Sequence, residues 1–214
     1  MIQNDGVEGT EQAAIETFLT GQRGGSSRVT LRPISGHDQD EFLELVRASV
    51  DLHHPWMSLP TTAEEFQTLL ARYDQPAEEC LLVCVRDTGA IAGIVNINSI
   101  IRGRFQCGSI AYAAFAPTAG QGYMSEGLEL VLRYAFEDLQ LHRLEAQIQP
   151  DNKASLKLVQ RHGFRKTSQE LRCQAASDSG WLDQAVASSW RVPVLRQPCR
   201  MPTSRLATWR SAVL

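Results

Sequence analysis

The sequence contains no run of 18 or more apolar residues, so no transmembrane helix is expected. Residues 1–19 are acidic and lack a basic start followed by an apolar core, which is not the pattern of a secretory signal. Basic charge is not in excess either. Lys and Arg number 21 against 24 Asp and Glu, for a net charge of −3, and the pI is near 6.0. General or specific binding to nucleic acid needs a basic surface, so that class is set aside, as is a membrane partner. The five cysteines, Cys80, Cys84, Cys107, Cys173 and Cys199, are odd in number and form no C-x-x-C pair. They read as reduced thiols of a cytoplasmic protein. No His/Cys pattern completes a ligand set, so no metal is expected. No Gly-Lys-Ser/Thr occurs, which excludes a Walker loop. The one Gly-x-Gly at a helix start has Ser125 where G-x-G-x-x-G needs its third glycine, and no acidic residue ends the following strand as a dinucleotide site needs.

What remains is an ordinary globular composition, 43% hydrophobic and 21% charged over 214 residues. That length fits one α/β domain with short extensions, large enough to bury a core without staples. Residues 1–27 read as an extension, with a short amphipathic helix near 11–19 and a Gly/Ser-rich linker, GQRGGSSR. Residues 28–194 form the domain. Residues 195–214 form a basic tail carrying Arg196, Arg200, Arg205 and Arg210. Within the domain, periodicity predicts a strand from Val29 to about Ile34 and a helix from Asp38. Thr61-Thr62-Ala63-Glu64 reads as a capping box, opening a second helix that runs to about Tyr73. Strands follow at 80–86, where Cys80 and Cys84 share a core-facing parity, then at 91–97 and 106–115. A long helix spans 122–139, a strand 143–149 and a helix 152–162. Further strands begin at Phe164 and within 181–194. Early strands should pair antiparallel and the later, helix-connected ones parallel.

The informative stretch is Ala116-Pro117-Thr118-Ala119-Gly120-Gln121-Gly122-Tyr123-Met124-Ser125-Glu126-Gly127, which leaves a strand and enters the longest helix. Glycines there permit a sharp turn and close approach of a ligand, and the first amides of the helix are unpaired at the positive end of its dipole. That combination makes a phosphate cradle. Taken alone, it equally fits a plain strand-to-helix turn. About 30 residues on come Asn152 and Ser155, then Gly163-Phe164. Both Asn152 and Ser155 also suit a helix start.

With Ala111-Tyr112, GQGYMSEG, Leu144-Glu145-Ala146, Asn152 with Ser155, and Gly163-Phe164 in order, the chain resembles the GNAT acetyltransferases, in particular the RimJ/RimL branch that acetylates N-termini of ribosomal proteins. His54-Pro55-Trp56 and Gly180-Trp181-Leu182-Asp183 extend the resemblance. Two departures stand out: Pro117 lies where the superfamily often has Gln or Arg, and Thr167-Ser168 where the branch often has Glu-Gly.

The resemblance implies a mixed sheet of about seven strands flanked by about four helices. It also implies acetyl-CoA as co-substrate and direct attack by an amine. The pyrophosphate and pantetheine would be held by Ala119, Gly120, Gln121, Gly122, Tyr123, Met124, Ser125, Asn152, Ser155 and Arg161. A backbone amide near Phe115 or Ala116 would stabilise the oxyanion, and Ser155 would be the acid. His54, Trp56 and Tyr112 would line the acceptor pocket. Glu145 is the candidate base, because it shares a polar strand face with Arg143, Gln147 and Gln149. That face equally fits a solvated strand end. Glu126 is a weaker candidate, since the helix dipole alone explains an acidic first turn. Three functions stay open: acetylation of a protein N-terminus, acylation of a small amine, and a non-catalytic CoA-binding sensor. The resemblance also leaves the length of the acyl group and a homodimer open.

Overall fold

The structure is a computed structural model that describes residues 27–173, 176–177, 180–181 and 185–193. The expected helix near 11–19, Leu182-Asp183, the arginine-bearing tail and Cys199 lie outside the described residues. Strand β1 (Val29–Pro33) leads through a 3-10 turn into helices α1 (Gln39–Ala48), α2 (Val50–His53) and α3 (Ala63–Tyr73). Strands β2 (Glu79–Val85), β3 (Ile91–Ile101) and β4 (Cys107–Ala114) follow. After them come α4 (Tyr123–Arg133), β5 (Arg143–Ile148), α5 (Lys153–Arg161) and β6 (Arg165–Cys173). The short pair β7 (Ala176–Ser177) and β8 (Gly180–Trp181) precedes β9 (Ala185–Pro193). Seven strands form one sheet in the order β1-β2-β3-β4-β5-β9-β6. With helices on both faces, this is the α/β architecture that the motifs imply.

The parallel region is smaller than expected. Among the described residues only β4 and β5 run parallel, from Cys107↔Arg143 to Ile110↔Ala146. β9 inserts between β5 and β6, antiparallel to both. The α5 crossover therefore carries β6 one strand further out, and β9 returns to fill the gap.

Alternation along the central strands explains why both faces are covered. Leu81 and Val83 of β2 join the core cluster under α4 and α5, with Leu128, Val131 and Val159. Cys80, Leu82 and Cys84 join the cluster under α1 and α3, with Phe42 and Phe66. Burial pushes the thiols of Cys80 and Cys84 up, so they stay protonated core residues. The helix starts show one shift of register. The capping box of α3 is Thr62 with Glu65, one residue later than expected: Thr62 Oγ1 accepts from the Glu65 amide at 3.2 Å, and the Glu65 carboxylate accepts from the Thr62 amide at 3.3 Å. The long helix is α only to Arg133 and continues as a π turn over Tyr134–Asp138. Tyr134 and Leu139, five residues apart, are both buried, and the wider turn keeps them on one face.

Candidate active site

Beyond Ile110 the β4/β5 ladder stops, and the two strands part. A cleft of about 420 Å³ opens there. Its walls come from the α2 turn, the end of β4, the first turn of α4 and the first turns of α5. Of the residues singled out from sequence, Trp56, Tyr112, Ala119, Gly120, Gly122, Tyr123, Met124, Ser125, Asn152, Ser155 and Arg161 line it. Phe115, Ala116, Gln121, His54 and Glu145 are not among its lining residues.

At one end lies the glycine turn. Gly120 and Gly122 have φ of +77° and +89°, a region costly for residues with a Cβ. Gly122 is the N-cap of α4. The Ser125 and Glu126 amides bond back to its carbonyl at 3.0 and 3.2 Å, whereas those of Tyr123 and Met124 precede any i→i−4 partner. Arg28, which sequence reading missed, braces this turn. Its guanidinium donates to Gln121 O at 3.0 Å and to Glu126 Oε1 at 2.7 Å, and it stacks 4.8 Å from the Tyr123 ring centroid. Burial pushes the Glu126 carboxyl up. The bonds from Arg28 outweigh that and hold it below the usual carboxylate range. The arginine is far from this turn in sequence, so no local pattern pointed to it. Ser125 Oγ is hydrogen-bonded to His162 Nε2 at 3.0 Å, tying the first turn of α4 to the end of α5. Burial lowers the His162 pKa.

At the centre, Asn152 caps α5: its side-chain oxygen accepts from the Ser155 amide at 3.0 Å. Capping leaves the Ser155 hydroxyl free for another partner, and it meets the Tyr112 hydroxyl at 2.5 Å. Burial pushes the Tyr112 phenol up to about 12, so it stays protonated at neutral pH.

The third wall differs from the sequence reading. His54 is exposed, and its neighbour His53 is the histidine that faces inward, 7% exposed. The chain restarts its helix at Ser49, so the phase of α1 does not carry into the histidine pair. Ser49 and His53, four residues apart, both reach the end of β4. Ser49 Oγ accepts from the Ala116 amide at 2.8 Å, and His53 Nε2 donates to the Ala114 carbonyl at 2.9 Å. The Phe115 amide bonds Ala92 O of β3 at 3.1 Å. The two amides expected to meet an oxyanion, Phe115 and Ala116, are therefore already engaged. Because Phe115 turns toward β3, strand alternation turns the amide and carbonyl of Ala114 toward the opening.

Glu145 sits in the zipped part of the sheet, opposite Ser109 and Arg191. Its carboxylate lies 3.0 Å from both Arg143 Nε and Arg191 Nε. Leu144 and Ala146 on either side face the core under α4, so Glu145 points to the other face. The described charged residues lining the cleft, Lys157 and Arg161, are cationic.

An acetyltransferase (GNAT) domain model matches residues 28–165. The chain belongs to the GNAT acetyltransferases. The ribosomal protein uS5-alanine N-acetyltransferase of Escherichia coli (strain K12) is 34% identical over 102 residues, 48% of this chain and 52% of that relative. The GNAT chain thus spans about half the length of that enzyme. Mycobacterium smegmatis RimJ in complex with CoA-disulfide superposes with a TM-score of 0.69 at 20% identity, over 79% of this chain and 84% of that one. Spermidine N-acetyltransferase from Vibrio cholerae in complex with CoA and spermine does so with a TM-score of 0.65 at 17% identity, over 78% and 96%. Such identities speak for the fold. The two neighbours are named for different acceptors, so they leave this chain's acceptor open.

The cleft fits coenzyme A as substrate. A Cβ built on Gly120 would meet nothing within 4 Å, so the turn presents open backbone. Arg161 and Lys157 add positive charge suited to phosphates.

Proposed function

We propose that this GNAT domain, residues 28–194, transfers an acetyl group from acetyl-CoA to a primary amine by direct attack, with a protein or peptide N-terminus as acceptor. The observation that carries the reading is the Tyr112–Ser155 pair at 2.5 Å, set in the cleft between the glycine turn and the end of β4. With Tyr112 donating to Ser155 Oγ, the serine's own hydrogen is free to protonate the departing sulfur. The Ala114 amide donates to the developing oxyanion. The amides of Tyr123 and Met124, with Arg161, hold the diphosphate, and Asn152 and Ser155 bond the pantetheine arm. Leu52, Trp56 and Met57 offer apolar contact to the acceptor's first side chain. Lys157 and Arg161 disfavour a polycation in the same cleft.

The test is a thiol-release assay with acetyl-CoA across N-terminal peptides and small amines, spermidine included. Release with peptides and little with small amines is the expected result. Preference for a small amine replaces the acceptor. Tight acetyl-CoA binding with no release to any amine overturns the enzyme reading in favour of a sensor.

A further inference from the structure

Direct transfer from an ammonium needs a proton acceptor beside the reacting nitrogen, and no carboxylate is among the described residues lining the cleft. We infer that His53 is the general base, an assignment that rests on the acetyl-transfer reading above. Three observations place it. It lines the cleft. Its Nε2 bonds the Ala114 carbonyl at 2.9 Å. That carbonyl shares the open edge of β4 with the Ala114 amide, the oxyanion donor, so the imidazole stands beside the carbon under attack.

The bond also fixes the tautomer. A carbonyl only accepts, so Nε2 carries a hydrogen, and in the neutral ring the lone pair is on Nδ1. The ring contacts the Ala114 carbonyl and Phe115, and the backbone that carries it is fixed. It packs edge-on against Phe115 at 6.0 Å between centroids. The His53 amide bonds Ser49 O at 3.0 Å, and its carbonyl accepts from Trp56 and Met57 at 2.7 and 3.1 Å. The other titratable or charged groups lining the cleft are Tyr112, Tyr123, Lys157 and Arg161. On and beside its own short helix, Asp51 and His54 are exposed.

The proton balance closes. The ammonium gives one proton to Nδ1, which passes it to solvent, and the neutral nitrogen attacks the thioester carbon. As the C–N bond forms and the C–S bond breaks, Ser155 delivers its proton to sulfur, nitrogen's second surplus proton goes to Nδ1, and water carries that proton on to Ser155 Oγ, so the net release is the one proton given to solvent. The resulting imidazolium keeps its bond to Ala114 O, now charge-assisted.

His53→Gln keeps an N–H for the Ala114 carbonyl and removes the proton acceptor. With the best acceptor, kcat should fall by roughly 10²–10⁴-fold at neutral pH with little change in the acetyl-CoA KM, and the deficit should shrink as pH rises. Added imidazole should restore part of the rate of His53→Ala. A His53→Gln rate within about threefold of wild type, far below the worth of a positioned base, with an unchanged pH profile, overturns the assignment. A readout on the wild type alone guards against variants that fail to fold. With acceptors of graded amine pKa, the acid limb of kcat should stay where it is; a limb that moves one-for-one with the amine overturns the proposal. If the wild type releases no thiol with any acceptor, the acetyl-transfer reading fails first and this one falls with it. If the wild type is active and the His53 variants match it, this one falls alone.

Discussion

The two halves of β4, residues 107–110 and 111–114, differ in how they are paired. From Cys107 to Ile110 the strand is paired on both edges, with β3 and with β5. The polar side chains there cancel one another, as Glu145 does between Arg143 and Arg191. From Ala111 to Ala114 the β3 edge stays paired and the β5 edge is open. Of the groups that face the opening, Tyr112 is held by Ser155 and the Ala114 carbonyl by His53. A sheet that is unpaired on one edge over four residues gives backbone donors and a lined cleft without disturbing its core. The fully paired half gives only stability.

The largest effect should come from the turn that supplies the open half with its phosphate cradle. Gly122→Val places a β-branched residue at φ +89°, with its Cβ 3.2 Å from Arg28 Nη2. Acetyl-CoA binding by isothermal titration should be lost, and an unchanged affinity would mean the cradle lies elsewhere. Next, Ser155→Ala removes the hydroxyl beside Tyr112 while leaving the Asn152 cap, which uses the Ser155 amide. Turnover should drop by about 10²-fold or more, with the acetyl-CoA KM less affected. A loss seen only in melting temperature would return Ser155 to a structural role. Third, Ser49→Ala removes the buried hydroxyl that accepts from the Ala116 amide, at about 0.5–1.5 kcal/mol of stability measured by denaturant unfolding. It should also lower turnover by loosening the end of β4. The smallest effect belongs to the closed half. Glu145→Gln weakens two partly exposed ion pairs, at about 1 kcal/mol or less, and should change the rate by under about threefold. A fall of 10²-fold or more, the size expected of a working base, would erase the distinction between the halves.

Local chemistry was readable where one short segment contains it. The Gly120/Gly122 turn opening a helix and the Asn152-x-x-Ser155 start are each set by neighbouring residues, and both stand where the motifs put them. The alternation of Leu144, Ala146 and Ile148 gave the right buried face of β5. It did not say what covers the opposite face, because Arg191 arrives from a strand far along the chain. The choice between His53 and His54 depended on a helix restart at Ser49, which apolar periodicity does not mark. The engagement of the Phe115 amide by Ala92 and of the Ala116 amide by Ser49 was not legible, because both partners lie far away in sequence. The insertion of β9 between β5 and β6 was invisible for the same reason, since strand order in a sheet is not written in either strand's own pattern.

That insertion bears on how the chain acquires its shape during synthesis. Among the described residues β6 pairs only with β9, and β5 meets β9 along the edge not used by β4. Residues 165–173 therefore leave the ribosome before the strand that must hold them, and β5 waits with a bare edge over the same interval. Everything from β1 to α5 can pack first. The outer two strands are completed together when 185–193 arrive, as a late, non-local step of the kind that slows folding. Until then β5 offers an unguarded edge to any extended peptide nearby.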